Sequence, residues 1–235
     1  MAGDRLTRIL TELAAAGASS GPRALCEVAA GVTALSGAGI MLLGAERPQG
    51  SLCTSDEVSR LIEELQYTLG EGPCVDAHNS GRSVVEPDLA TPAVPRWQAF
   101  APAAVEGGVR AVFGFPIRVG VARLGALNLY RGRPGPLSED QHADALVMAD
   151  VAARAILDMQ AEAPAGAVAA EIGAEANFRF VVHQAAGMVS VQLEVSIGEA
   201  LVRLRAHAFR TDRLLADVAQ GVVDRQLRLA DAGGE

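Results

Sequence analysis

The sequence predicts an α+β domain built on an antiparallel sheet, followed by a separate all-α module of three helices. Three observations carry this expectation. Helix-like and strand-like segments alternate without a regular strand–helix–strand repeat, which argues against a parallel sheet. Two apolar strands are joined by a short turn through Gly120 and so pair antiparallel. A low-complexity stretch from Ala161 to Ala170, containing Pro164 and Gly166, separates two regions of different charge.

Each element follows from local pattern. Apolar residues at helical spacing mark helices over 4–16 (Leu6, Ile9, Leu10, Leu13) and 22–35 (Leu25, Val28, Ala29, Val32). Gly39 to Leu43 is a continuous apolar run beside glycine, the pattern of a buried strand. Residues 56–69 return to helix, with Val58, Leu61, Ile62 and Leu65 expected inward. Strands follow at 110–119 and 123–130. Ser138 and Gln141 form a capping box that opens a helix to about residue 159, with Ala145, Leu146, Ala149, Ala152, Ala153 and Ile156 inward. Beyond the low-complexity stretch, 178–193, 196–209 and 212–229 read as three helices. The second opens on Ser196 and Glu199, another capping box, and the third repeats the apolar pairs Leu214–Leu215, Val218–Ala219 and Val222–Val223. The expected organisation is an N-terminal helix (1–21), the α+β domain (22–160), a hinge (161–177), the helical module (178–229) and a tail (230–235).

Composition excludes several classes of protein. The 235 residues are 50% hydrophobic and only 4% aromatic, with a formal net charge of −8. A disordered chain would need low hydrophobicity with high charge. All 20 basic residues are Arg. Without Lys there is no Schiff-base chemistry and no phosphate loop ending in Gly-Lys-Ser/Thr. The charge is divided unevenly: residues 1–177 hold 13 Arg against 21 acids, whereas 178–229 hold 7 Arg against 5. The second module is therefore mildly basic on an acidic protein. The chain's start lacks the basic region and apolar core of a secretory signal, and the uncharged run Val28 to Ala45 is broken by four glycines, so a cytoplasmic protein without a membrane span is expected. Cys26, Cys53 and Cys74 form no Cys-x-x-Cys pair, and three reduced thiols are expected.

The segments Leu69-Gly-Glu-Gly-Pro-Cys-Val-Asp-Ala77, Asp88-Leu89, Arg96-Trp97, Phe100, Gly108-Val-Arg110, Phe115-Pro-Ile117 and Leu124-Gly-Ala-Leu-Asn-Leu-Tyr130 resemble the GAF domains of actinobacterial regulators over roughly residues 22–160. The resemblance implies a sheet flanked by helices and a pocket between the sheet and a helix, open to a small molecule or a redox signal. The Asn-Lys-Phe-Asp-Glu signature of cyclic-nucleotide-binding members is absent. Candidate pocket residues are Cys74, Asp76, Asp88, Trp97, Phe100, Phe113 and Asn128. Five of them have a plainer role available: Cys74 as a small buried hydrophobe, Trp97 and Phe100 as core, Asp76 and Asp88 as turn caps. His78 and His142 sit among polar neighbours and are expected on the surface.

The segments His183-Gln-Ala-Ala-Gly-Met188, Ser196-x-x-Glu-Ala-x-x-Arg-Leu-Arg-Ala-x-Ala208 and Leu215-Ala-Asp-Val-Ala-x-x-Val-Val223 closely resemble the ANTAR domain, a three-helix RNA-binding module of transcription antitermination regulators. The resemblance implies binding of paired RNA stem-loops near terminators, and a homodimer that places two such modules near each other is expected. Arg179, His183, Gln184, Arg203, Arg205, Arg210 and Arg213 are the candidate RNA contacts, since Arg suits phosphates through its planar fork and bases through stacking. Many related modules carry Lys in the first helix, where this one has Arg179 and His183. Two alternatives stay open: a GAF-fold thiol enzyme of the methionine sulfoxide reductase kind using Cys74, and a ligand-free dimerisation or protein-interaction module. A non-enzymatic regulator is the expectation, with its cofactor unspecified.

Overall fold

Strand pairing organises the first half of the chain. The computed structural model describes residues 2–17, 21–43, 48–162, 176–211 and 213–229; the expected hinge from 163 to 175 and the tail lie outside them. The chain divides into two compact units, Met1–Ala165 and Gly166–Glu235.

In the first unit the described strands are β1 (Gly37–Leu43), β2 (Pro48–Thr54), β3 (Val84–Glu86), β4 (Ala111–Val119) and β5 (Ala122–Arg131). They form one antiparallel sheet in the order β2-β1-β5-β4-β3. The central strands are buried on both faces, so they read as apolar runs rather than alternating ones. Helices α1 (Ala2–Ala16), α2 (Arg23–Thr33) and α6 (Glu139–Glu162) belong to one face; α3 (Glu57–Leu69) and α4 (Pro73–Ser80) cover the other, with α5 (Phe100–Glu106) beside α3. The Ser138–Gln141 capping box forms in both directions, at 3.0 and 3.1 Å, and Gln141 Nε2 also donates to the Thr33 carbonyl of α2.

Four elements had no legible pattern in the sequence. β3 and α5 are too short for a period to show, α4 is opened by Pro73 at its first turn, and β2 pairs with β1 through two register irregularities. The N-terminal helix is not a separate appendage. Arg5 and Arg8 of α1 hold the buried carboxylate of Asp144 on α6 at 2.7 and 2.6 Å, which makes α1 part of the first unit. Leu146, expected inward on α6, is exposed.

The expectation of three reduced thiols is overturned. Cys26 on α2 and Cys53 on β2 form a disulfide, and only Cys74 is a free cysteine, buried. Nothing in the local sequence marks the pair, because the two residues come from a helix and an edge strand 27 positions apart.

The second unit consists, among the described residues, of α7 (Ala176–Leu193), α8 (Ile197–Arg210) and α9 (Leu215–Val223). Its core is small and aliphatic: Val182, Ala185, Val189, Leu201, Leu204, Ala208, Leu215, Val218 and Val222 are buried. Ser196 caps α8 by accepting from the Glu199 amide at 3.2 Å. The last helix is shorter than its apolar stripe suggests. Arg225 adopts a left-handed turn, and the amides of Gln226 and Leu227 fold back onto the Gly221 carbonyl at 2.8 and 2.9 Å. No single described helix is long and apolar enough to cross a membrane.

Candidate functional site

The helix α3 turns an unexpected side to the sheet. Its buried residues are Ser59, Ile62, Glu63, Gln66, Tyr67 and Thr68, whereas Val58, Leu61 and Leu65 are only partly covered. Glu63 and Gln66 are thus functional candidates that periodicity missed, because an apolar stripe was available on the same helix to mislead it. The N-terminus of α3 is held by Asp56, which accepts from the Ser59 amide at 2.8 Å and from the Tyr130 hydroxyl at 3.0 Å. Burial, with Asp56 next, raises the Tyr130 pKa, so the phenol stays a donor.

Beneath α3 and α4, one row of the sheet reads Gly39, Asn128, Gly114 across β1, β5 and β4. A Cβ on Gly39 would lie 2.8 Å from Glu63 Oε1, and one on Gly114 would lie 2.3 Å from the Pro73 carbonyl oxygen. The two glycines therefore let α3 and α4 approach the sheet, and Asn128 is the one side chain rising between them. It is fully buried, and neither its Oδ1 nor its Nδ2 has a hydrogen-bond partner among the described residues. Gln66 Oε1 accepts from the Cys74 amide at 2.7 Å, while its Nε2 is likewise unmatched. A buried carboxamide left unmade costs about 1–3 kcal/mol. Asn128, Gln66 and Glu63 together present donors and acceptors suited to a small polar group.

Replacing Asn128 by Leu, which has the same branching and number of heavy side-chain atoms, is expected to raise the melting temperature of the first unit, because an unmatched amide is exchanged for apolar contact. Thermal denaturation followed by circular dichroism checks this; an unchanged or lowered midpoint would mean the amide is matched in solution.

Cys74 lies at the base of the same region, its Sγ 4.0 Å from the Ala126 carbonyl. Burial, then the charge of Glu63, pushes its thiol well above the ordinary range. A nucleophilic or redox-sensing cysteine needs a thiolate and access. Under native conditions at neutral pH, iodoacetamide is expected to leave Cys74 unmodified by mass spectrometry, and to label it once the protein is denatured. Labelling of the folded protein at the rate of a free thiol would overturn this.

The other expected pocket residues part company. Trp97 Nε1 donates to Asp76 Oδ2 at 2.9 Å, and the Trp97 and Phe100 rings meet edge-on at 5.8 Å. Arg96 stacks over the Trp97 ring at 4.3 Å. Trp97 has a positive φ of 58°, a strained conformation for so bulky a residue, held by these contacts. Asp88 does not join them: its carboxylate accepts from Thr91 Oγ1 at 2.6 Å and from the amides of Ala90 and Thr91, closing a local turn. Those bonds hold its pKa below the usual carboxylate range. Phe113 is also displaced. It shares a face of β4 with Phe115, whose ring meets His142 of α6 at 5.2 Å, so it points away from α3 and α4. His78, expected on the surface, is buried in α4.

On the second unit the expected contacts concentrate on α8 and the turn after it. Arg203 pairs with Glu199 at 2.9 Å, Arg210 reaches His207 Nδ1 at 3.3 Å, and Arg213 donates to the Asp217 carbonyl at 3.3 Å. His207 has a lowered pKa, first from burial and then from the charges of Arg210 and Arg213. Arg205 is half-buried and Gln184 is exposed; the side chains of Arg179 and His183 lie outside the described residues. Among the described residues no group of three or more His, Cys, Asp and Glu is placed to hold a metal ion.

An antiparallel sheet with α3 and α4 on one face and α1, α2 and α6 on the other defines an α+β domain with helices on both faces of the sheet. The GAF domain model matches residues 23–157, more than half of the chain, and the chain belongs to the GAF domain family. Its fold is similar to the GAF domain of a phosphoenolpyruvate-protein phosphotransferase from Coxiella burnetii, at 16% identity and a TM-score of 0.52, covering 68% of this chain and 95% of that one. The corresponding Acinetobacter domain matches at 15% identity and a TM-score of 0.50, covering 68% and 96%. A type II free methionine-R-sulfoxide reductase from Thermoplasma acidophilum matches at 18% identity and a TM-score of 0.47, covering 58% and 89%. No curated protein matches the chain.

Proposed function

We propose that this chain is a non-enzymatic, cytoplasmic regulator in which the GAF domain receives a small polar ligand and the helical second unit, as an ANTAR-type module, binds stem-loop RNA to let transcription pass a terminator. The observation that carries the RNA half is the gathering of Arg203, Arg210 and Arg213 around the exposed side of α8 on a small helical unit. Arg203, Arg210 and Arg213 make local contacts with Glu199, His207 and the Asp217 carbonyl, and a guanidinium carries five donors, more than one such contact uses. Two copies acting together fit this reading, since paired hairpins would raise a modest affinity by avidity.

A gel shift with RNA carrying two adjacent hairpins tests the RNA half. Arg203→Ala, Arg210→Ala and Arg213→Ala combined are expected to weaken binding at least about tenfold and to flatten its salt dependence, because phosphate contacts release counterions. Arg205 is left in place because its guanidinium Nε is buried. Equal binding by wild type and variant would overturn the assignment. For the sensor half, a thermal-shift screen of small polar metabolites is expected to find a stabilising compound, since a ligand bound only by the folded state raises stability. Asn128→Leu should abolish that shift. The buried, protonated Cys74 supports a receiver in preference to a thiol enzyme.

A further inference from the structure

The exposed side of α8 holds an apolar stripe that the arginines frame. Val202, Ala206 and Phe209 recur at i, i+4 and i+7 and share one face of the helix. Val202 is 59% exposed and Phe209 is 64% exposed. Single exposed hydrophobes are ordinary on a protein surface. This one differs in kind and in setting. Trp97, Tyr67, Tyr130, Phe100, Phe113 and Phe115 are all buried, so Phe209 is the one exposed aromatic ring among the residues whose side chains are described.

Its surroundings are cationic. Arg210 follows it directly and reaches His207 Nδ1, and Arg213 lies just past the helix end. Arg203 stands about two turns back from Arg210 and is paired with Glu199. A protein partner would use the apolar stripe alone, and an acidic peptide the arginines alone. A phosphate backbone with an unstacked base uses both features at once: guanidinium groups take the phosphates and the ring takes the base.

We infer that Phe209 is a stacking platform for an unpaired RNA base, framed by Arg203, Arg210 and Arg213, so that the module reads the single-stranded part of its target at this point. The inference rests on the RNA-binding reading above and adds to it the contact with an exposed base. Stacking is tolerant of base identity, so the platform selects for an unpaired nucleotide more than for a sequence.

The full chain is titrated with three probes: a stem-loop RNA with 2-aminopurine in its loop, a single strand of about twelve nucleotides carrying the same label, and a blunt duplex. Wild type is expected to quench 2-aminopurine in the first two. Phe209→Ala should weaken those complexes about tenfold or more and lose the quenching, with the salt slope unchanged. Phe209→Tyr should restore both. Arg210→Ala with Arg213→Ala should flatten the salt slope while keeping the quenching at saturation. The residue is exposed, so circular dichroism is expected to show all variants folded.

Full affinity and quenching in Phe209→Ala would overturn the stacking role alone, leaving RNA binding intact. So would an equal loss on the blunt duplex, which offers no unstacked base. A wild-type dimer that Phe209→Ala converts to monomer in sedimentation, with quenching unaltered, would make the stripe an interface between copies and overturn the inference. Wild type that binds none of the probes would fell the RNA reading together with it.

Discussion

Gly114→Val is expected to unfold the first unit under conditions where wild type is fully native. A Cβ at this position would lie 2.3 Å from the Pro73 carbonyl oxygen, 2.7 Å from its carbon and 3.2 Å from the Ala77 Cβ. The obstacle is backbone at the start of α4, so no rotamer change relieves it. Either α4 lifts from β4 and β5, exposing Cys74 and Ala77, or the sheet distorts. Overpacking against a rigid neighbour costs about 1–3 kcal/mol and more for a branched side chain, a large share of a typical 5–15 kcal/mol stability. Gly31→Ala makes the matched control: nothing lies within 4 Å of its would-be Cβ, and it stands in α2. That substitution should gain about 0.5–1 kcal/mol from helix propensity. Guanidinium midpoints for the two variants should therefore move in opposite directions. A Gly114→Val protein as stable as wild type would mean that α4 does not sit on the sheet as described.

Breaking the Cys26–Cys53 bond should have an effect of similar size. It closes a loop of 27 residues in sequence separation, and the chain-entropy account assigns such a closure about 3–4 kcal/mol. It ties α2 to β2, an edge strand that is otherwise paired on one side only. Reduction with dithiothreitol, or Cys26→Ser with Cys53→Ser, is expected to lower the melting temperature of the first unit by roughly 6–16 °C, at about 2–4 °C per kcal/mol for a unit of this size. Alkylation counts give the companion test. Denatured but unreduced protein should carry one label, on Cys74, and reduced protein three. Three labels before reduction would remove the bond from the account.

The sequence made visible whatever is local. The helices α2, α3 and α6 declare themselves by apolar spacing and caps, the β4–β5 pair by two apolar runs around Gly120, and the three helices of the second unit by their stripes and Ser196. The arginines of α8 were equally legible, since a net positive module on an acidic chain needs only counting. Less was visible of the candidate ligand site. Asp76, Trp97 and Phe100 do meet, yet Asp88 is consumed by its own turn and Phe113 belongs to the opposite face. The two have different causes: a short acidic side chain before Thr91 caps its own turn, whereas a strand's pattern says that neighbours alternate and leaves open which of the two faces carries which helix.

By itself, then, the chain determined its two-part organisation, its α+β character, its freedom from lysine chemistry and the basic helix of its second unit. All of these depend on neighbours a few positions apart or on composition. Only the tertiary structure decided that Gly39, Asn128 and Gly114 stand in one row, that Glu63 and Gln66 face it, and that Cys26 meets Cys53. Those meetings join positions from different strands and helices, brought together by sheet register and by how closely α3 and α4 can approach. No periodicity of 2 or 3.6 residues encodes such distances, because they are set by the packing of one element against another.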